Sequence, residues 1–272
     1  MSFAQRRPLP PPEAGQSLFA GRDTEVALYR LHFHRPKDNP QVKLITAISG
    51  PGGVGKSRLL DELEWYRAAG TVFSRIDAAA GGHDAAALLR AVADGLHRQG
   101  EPIPTPQFDR QFSRRQELLE QALTRSSDTK AVLRHFCRPV LPGVDAPAFT
   151  PDPALPAQLR WKPDDVALAF ENPLGLLTQA LVEDFNRIAS ATDNGENSAG
   201  SPGQKIVLIF DNFDHPGAAA GEWLLTHLLG HARNAIECDL RLVLAGRTPP
   251  AQLDERWQTQ WDDLILHLPL HP

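Results

Sequence analysis

The chain has 272 residues, is 42% hydrophobic and 22% charged, and carries a formal net charge of −5. That composition belongs to a globular protein able to bury a full core in one large domain or two, and its acidity argues against a generally basic nucleic-acid surface. No apolar run reaches the length that spans a bilayer, and the start MSFAQRRPLPPPEAG lacks the apolar segment of a secretory signal, so the expected location is the cytoplasm. Cys137 and Cys238 have neither metal-ligand nor disulfide spacing and read as buried structural cysteines.

In chain order, residues 1–16 are proline-rich and polar, the composition of a tail or linker. Ser17 to Pro36 predicts a helix with Asp23 as its N-cap and Val26, Leu28, Tyr29, Leu31 and Phe33 as its apolar side. Val42 to Ser49 predicts a buried strand. Gly50 to Gly55 follows as a loop, and Ser57 to Arg67 as a helix with Leu59, Leu60 and Leu63 on one side. A strand is predicted over Thr71–Asp77, then a helix from His83 to Gly100 capped by Asp84, then another over Arg114–Leu123.

The prolines of Arg138 to Pro163 predict an extended or partly disordered insertion. The pattern then gives a helix over Pro173–Ser190, a flexible loop over 191–204, and a buried strand, KIVLIFDNFD, over Lys205–Asp214. A helix over about 218–235, a strand over Asp239–Arg247, a helix over Gln252–Trp261 and a strand over Asp263–Leu270 complete the chain. Strands alternating with helices predict an α/β fold with a parallel sheet.

Two of these junctions carry chemistry. The loop ISGPGGVGKS matches G-x-x-x-x-G-K-[ST] at Gly50, Gly55, Lys56 and Ser57, the pattern of a phosphate-binding loop. Glycine lets successive backbone N–H groups turn toward one anion, and the following helix N-terminus adds partial positive charge. The N–H groups of Gly53, Val54, Gly55 and Lys56 are expected to surround the β-phosphate, within a binding set of Gly50, Pro51, Gly52, Gly53, Val54, Gly55, Lys56, Ser57 and Arg58. Lys56 would reach the β- and γ-phosphates. Ser57 would ligate Mg²⁺.

The run IVLIFD places Asp211 at the carboxyl end of a strand buried on both faces, where open parallel sheets gather their ligands. Asp211 is the expected second Mg²⁺ residue, acting through water beside Ser57. Asp214 either orients or deprotonates an attacking water, or caps the next helix near Pro216. The residue directly after Asp211 is Asn212, not the glutamate found there in many such sites. Arg247, following the run RLVLAG, presents a planar, permanently charged fork suited to a γ-phosphate.

FAGRDTE, GPGGVGKS, IVLIFDNFD and LRLVLAGR, in that order, resemble the nucleotide-binding module of the STAND signal-transduction ATPases, relatives of AAA+, NACHT and NB-ARC proteins. The resemblance runs from about Ser17 to the end. It implies a three-layer P-loop NTPase fold over residues 17–272, with helices on both faces of a parallel sheet of about five strands in the order 5-1-4-3-2. It also implies that Phe19, Gly21 and Arg22 line the adenine side, that Asp211 serves Mg²⁺ and that Arg247 is a sensor. ATP or ADP with Mg²⁺ are the implied ligands, and slow ATP hydrolysis with Lys56, Asp214 and Arg247 as catalytic residues is the implied activity.

Proteins of this class usually continue into a helical lid, a winged helix and ligand-sensing repeats, whereas this chain stops at LHLPLHP. It therefore reads as the nucleotide-binding core of a larger signalling or defence protein that self-associates according to its nucleotide. His267 and His271 are not assigned the ADP contact of the missing part. Two other function classes share these motifs: a AAA+-type ATPase working on nucleic acid or protein, and a non-catalytic nucleotide-binding scaffold, which Asn212 favours. Arg114 and Arg115 are candidates for an arginine supplied to a neighbouring copy.

Overall fold

The computed structural model describes residues 21–65, 71–79, 84–98, 100–125, 160–190, 205–215 and 219–272. The N-terminal tail, Phe19, Cys137, the 191–204 loop and all but the last residues of the 138–163 stretch lie outside the described residues. Among those described, the chain forms α1 (Asp23–His34), β1 (Ile45–Ser49), α2 (Lys56–Trp65), β2 (Val72–Asp77), α3 (Ala85–Gly95), β3 (His97–Arg98), β4 (Glu101–Pro102) and α4 (Pro106–Arg125). A short helix, α5 (Pro163–Val166), runs into a π-helical stretch (Ala167–Glu171), followed by α6 (Pro173–Ser190) and β5 (Lys205–Asp211). Next come α7 (Ala220–Glu222), continued as a π-helix (Trp223–His231), β6 (Asp239–Gly246), α8 (Pro250–Leu253), α9 (Arg256–Trp261) and β7 (Ile265–Pro269).

The chain is α/β, with one mixed sheet in the order β4-β3-β2-β5-β6-β1-β7. This corrects the expected sheet of about five parallel strands to seven strands, among the described residues, in a mixed sheet: β3 and β4 are added beyond β2, while the expected strands run β7-β1-β6-β5-β2. The pairs β7–β1, β1–β6, β6–β5 and β5–β2 are parallel, while β2–β3 and β3–β4 are antiparallel. Two-residue strands have no alternation to detect, so the short hairpin at the β2 edge left no periodic signal. It arises because α3 stops at Gly95 and not at Gly100. A Cβ on Gly95 would lie 2.5 Å from Ser74 Oγ, so the helix end is pressed onto β2. Gly100, at φ 91°, instead turns the hairpin.

The apolar run of β5 follows from burial on both faces. Ile206, Leu208 and Phe210 face one cluster, with Leu89 of α3, Phe108 of α4 and Leu181 of α6. Val207 and Ile209 face the other, with Tyr29 of α1 and Leu59 and Leu60 of α2. Each such side chain contributes about 1.5–3 kcal/mol by leaving water. Cys238 is buried at the edge of the first cluster, and burial pushes its thiol up to about 12. No helix among the described residues is long and apolar enough to cross a membrane.

Helix ends show where local sequence rules hold and where they do not. Asp84 caps α3 as expected, accepting from Ala86 N at 3.0 Å and Ala87 N at 3.3 Å. Asp23 does not cap α1: Arg22 holds the N-cap position, and Asp23 stands in the first turn, where its charge complements the helix dipole. Helix α4 begins at Pro106, well before the expected Arg114, because Asp184 of α6 accepts from Gln107 N at 3.0 Å and Phe108 N at 2.9 Å. That carboxylate is wholly buried and comes from a distant segment.

Arg241 of β6 fastens α1 to the sheet. Its guanidinium, in a residue only 3% exposed, donates to Asp239 and to the carbonyls of Arg35 (2.8 Å), Lys43 (3.3 Å) and His32 (3.4 Å). Arg241→Met is expected to cost about 3 kcal/mol in urea unfolding, the low end for a broken buried pair because Lys205 still reaches Asp239 at 2.9 Å. A loss under about 1 kcal/mol would mean the pair is not a structural tie.

Candidate functional site

The carboxyl ends of β1, β6, β5 and β2 lie side by side, with Ser49 opposite Gly246 and Asp77 opposite Asp211. From β1 the chain passes into the glycine loop. A Cβ on Gly50 would meet the Leu270 carbonyl oxygen at 2.5 Å, because the end of β7 is tied down by a 2.6 Å bond from Leu270 N to Ser49 O. Gly53 and Gly55 differ: their φ values of 79° and 97° demand glycine, yet a Cβ at either meets nothing within 4 Å. The loop is thus a backbone cradle with open space over it. Leu59 N donates to Gly55 O at 2.9 Å, closing the first turn of α2, whose Leu59, Leu60 and Leu63 are buried.

Lys56 turns back over its own loop. Its Nζ donates to Gly50 O at 2.7 Å and Pro51 O at 2.8 Å. Burial draws its pKa below the ordinary lysine value; Asp214 opposes that shift, Arg247 adds to it and Asp211 opposes it. Asp214, Arg247 and Asp211 therefore all lie within electrostatic reach of Lys56. Arg247 is exposed, and its Nε and Nη2 lie 3.9 Å from where a Cβ of Gly52 would stand.

Asp211 is 6% exposed and already has partners. Its Oδ1 accepts from Asn212 N at 3.1 Å, and its Oδ2 accepts from Arg75 Nη2 at 3.2 Å. The same Nη2 lies 3.4 Å from Ser57 O, while Arg75 Nη1 donates to Asp61 Oδ1 at 2.5 Å and lies 3.8 Å from Glu64. Burial works against the charged guanidinium, but Asp61 and Asp211 outweigh it and the Arg75 pKa is raised. Sequence reasoning passed over Arg75. Its signal was a basic residue within the predicted strand TVFSRID, two positions before Asp77.

Asp214 is held by backbone. Its Oδ2 accepts from Arg247 N at 2.9 Å and Thr248 N at 3.1 Å, and its carboxylate sits against Gly246, where a Cβ would lie 2.7 Å from Oδ1. It thereby joins the exit of β5 to the exit of β6; the helix start near Pro216 lies outside the described residues. Asn212 takes a left-handed conformation, φ 54°, and donates through Nδ2 to Asp77 Oδ1 at 2.9 Å. Asparagine tolerates that backbone better than most side chains.

Gly21 takes φ 91°, and Arg22 after it donates to His271 O at 2.6 Å, Glu25 at 3.2 Å and Val54 O at 3.4 Å, so the segment before α1 touches the loop directly. Phe19 lies outside the described residues. Arg58 stands 4.0 Å from Asp61 on the surface of α2. Arg114 is bonded to Asp165 through Nε at 2.8 Å and Nη2 at 2.9 Å, and Arg115 is buried. His267 pairs with Asp262 at 3.0 Å.

These groups fit a triphosphate: unobstructed positions over Gly53 and Gly55, the N-terminus of α2, and the cations of Lys56 and Arg247 beside the same loop. The Ser57 hydroxyl and the Asp211 carboxylate are hard oxygen donors of the kind Mg²⁺ takes, and Arg75 competes for the second. No family model, curated protein or solved structure matches the chain.

The Asp214 clamp makes a testable distinction. Asp214→Ala is expected to lower stability by about 1–3 kcal/mol, since two backbone donors lose their acceptor. Asp214→Asn keeps an acceptor oxygen and should lose less than half of that. Equal losses in thermal unfolding of the two variants would show that the clamp depends on charge and not on accepting those bonds.

Proposed function

We propose that the chain is an ATP-binding, slowly hydrolysing molecular switch of the STAND type, working in the cytoplasm as the nucleotide-binding core of a larger signalling or defence protein. The observation that carries this reading is the convergence of Lys56, Ser57, Asp211, Asp214 and Arg247 on one loop of open glycine backbone. Topology adds support: a single strand, β6, separates the loop strand β1 from β5, the strand bearing Asp211, as the P-loop resemblance implies. Arg247 then stands at the end of the intervening strand, between the two motifs.

In this reading the loop amides and Lys56 exchange internal partners for phosphate oxygens. The carbonyls of Gly50 and Pro51 now satisfying Lys56 give way to the β- and γ-phosphates, with little backbone rearrangement. Arg247 is held through its own backbone N–H by Asp214, so its guanidinium is offered from a fixed base. Arg22, bonded to Val54 O, couples the adenine side to the same loop. Bound Mg²⁺ would be held by Ser57 and Asp211 and would neutralise charge on the transferred phosphoryl group. Further domains of a parent chain and a second copy of this module are the partners the switch requires.

A second reading, a nucleotide-binding scaffold without turnover, draws on the carboxylates. Asp214 Oδ2 accepts two backbone bonds, and the residue after Asp211 is an asparagine bonded to Asp77. In the switch reading, by contrast, water activation would be left to Asp214 Oδ1 alone.

Equilibrium binding of ATP, ADP and GTP with Mg²⁺, followed by phosphate release from the same samples, tests both readings. Adenine nucleotides are expected to bind in preference to GTP, and Lys56→Ala is expected to weaken ATP binding about tenfold or more, about 1.4 kcal/mol, without loss of thermal stability. Slow phosphate release that falls in Asp214→Asn supports the switch, and tight binding without release supports the scaffold. Failure of every nucleotide to bind would remove both.

A further inference from the structure

The buried charge under the loop goes beyond that reading while resting on it. Arg75 and Asp211 have side chains only 10% and 8% exposed, and their pairing joins β2 to β5. The guanidinium is shared with two acids of α2, Asp61 and Glu64, and Glu64 in turn lies 3.3 Å from His97 Nε2. One nitrogen, Nη2, lies 3.2 Å from Asp211 Oδ2, the carboxylate assigned to the metal, and 3.4 Å from the backbone carbonyl oxygen of Ser57, so it touches both residues but only Asp211 through the group assigned to the metal. This is a built position. The arginine is anchored at its other nitrogen by a 2.5 Å bond to Asp61, on the helix that the glycine loop opens.

A carboxylate so placed has its charge opposed before any metal arrives. A guanidinium keeps its proton at every physiological pH, and its planar fork holds two acids at once, which a compact ammonium cannot do in the same way. Withdrawing it would leave the buried carboxylate of Asp211 with the Asn212 amide but no countercharge, a costly state. A divalent cation must therefore either share Asp211 with Arg75 or gain little from it.

We propose that Arg75 is a resident cation for Asp211, a positioning residue that makes nucleoside triphosphate binding by this chain nearly independent of divalent metal. Removal of its charge converts the site to a metal-dependent one.

The test is calorimetric binding of ATP to the whole chain in excess Mg²⁺ and in a chelator, with the ratio of the two affinities as the readout and circular dichroism as the check on folding. The unaltered protein is expected to show a ratio of about threefold or less, Arg75→Gln about tenfold or more, and Arg75→Lys, which keeps the charge without the fork, a ratio between the two. A simple loss of packing would weaken both affinities and leave the ratio alone. A ratio above threefold in the unaltered protein overturns the proposal, whether or not Arg75→Gln folds. So does a folded Arg75→Gln whose ratio has not risen. Absence of ATP binding in both conditions would instead overturn the nucleotide reading itself, and this inference with it.

Discussion

Burial of β5 and β6 on both faces is the constraint from which the rest of this architecture follows. Residues Ile206 to Phe210 are sealed from solvent, and from Leu240 to Ala245 every residue of β6 is buried. Alternate side chains feed two cores, one against α3, α4, α6 and the π-helix at Trp223, the other against α1 and α2. A strand so enclosed has no solvated face for a polar group, so its chemistry is displaced to its ends. Asp211, Asn212 and Asp214 leave β5 at the same edge where Arg247 leaves β6 and the glycine loop leaves β1.

Two arginines break the apolar rule, and each breaks it for a positional reason. Arg241 lies within β6 and spends its donors on Asp239 and on carbonyls around the end of α1. It sets the attachment of the helix whose N-cap residue, Arg22, reaches the loop. Arg75 lies near the carboxyl end of β2 and spends its donors on Asp61, Asp211 and the Ser57 carbonyl. Buried ions of this kind contribute little net stability beside apolar residues of the same volume. Their effect is registry: each ties a helix to a strand at one place, and together they set both sides of the loop.

At the loop, the lysine and both carboxylates have internal partners. Lys56 is held by loop carbonyls, Asp211 by Arg75 and the Asn212 amide, and Asp214 by the amides of Arg247 and Thr248. Gly53 and Gly55 have open space where a Cβ would stand, and Arg247 is exposed beside them. A buried, charge-rich edge of this kind stays folded because its polar groups are paired internally.

How much of this was legible in the sequence depends on range. Residues 205–211 and 239–246 read as buried strands because an unbroken apolar run is a local property, and residues 50–57 read as a glycine loop between strand and helix because they are consecutive. Asp84 announced its helix for the same reason. The short hairpin at 97–102 was illegible because two residues make no pattern, and the early start of α4 because its cap, Asp184, belongs to another helix. Asp214 shows the limit most clearly: its position at a strand end was visible, but its bonds reach residues 33 and 34 positions away. The sequence by itself determined the α/β alternation, the buried strands and the glycine loop, since these rest on neighbours along the chain. Only the tertiary structure decided that Arg75 would meet Asp211, 136 residues distant, because that pairing exists only once β2 and β5 lie side by side.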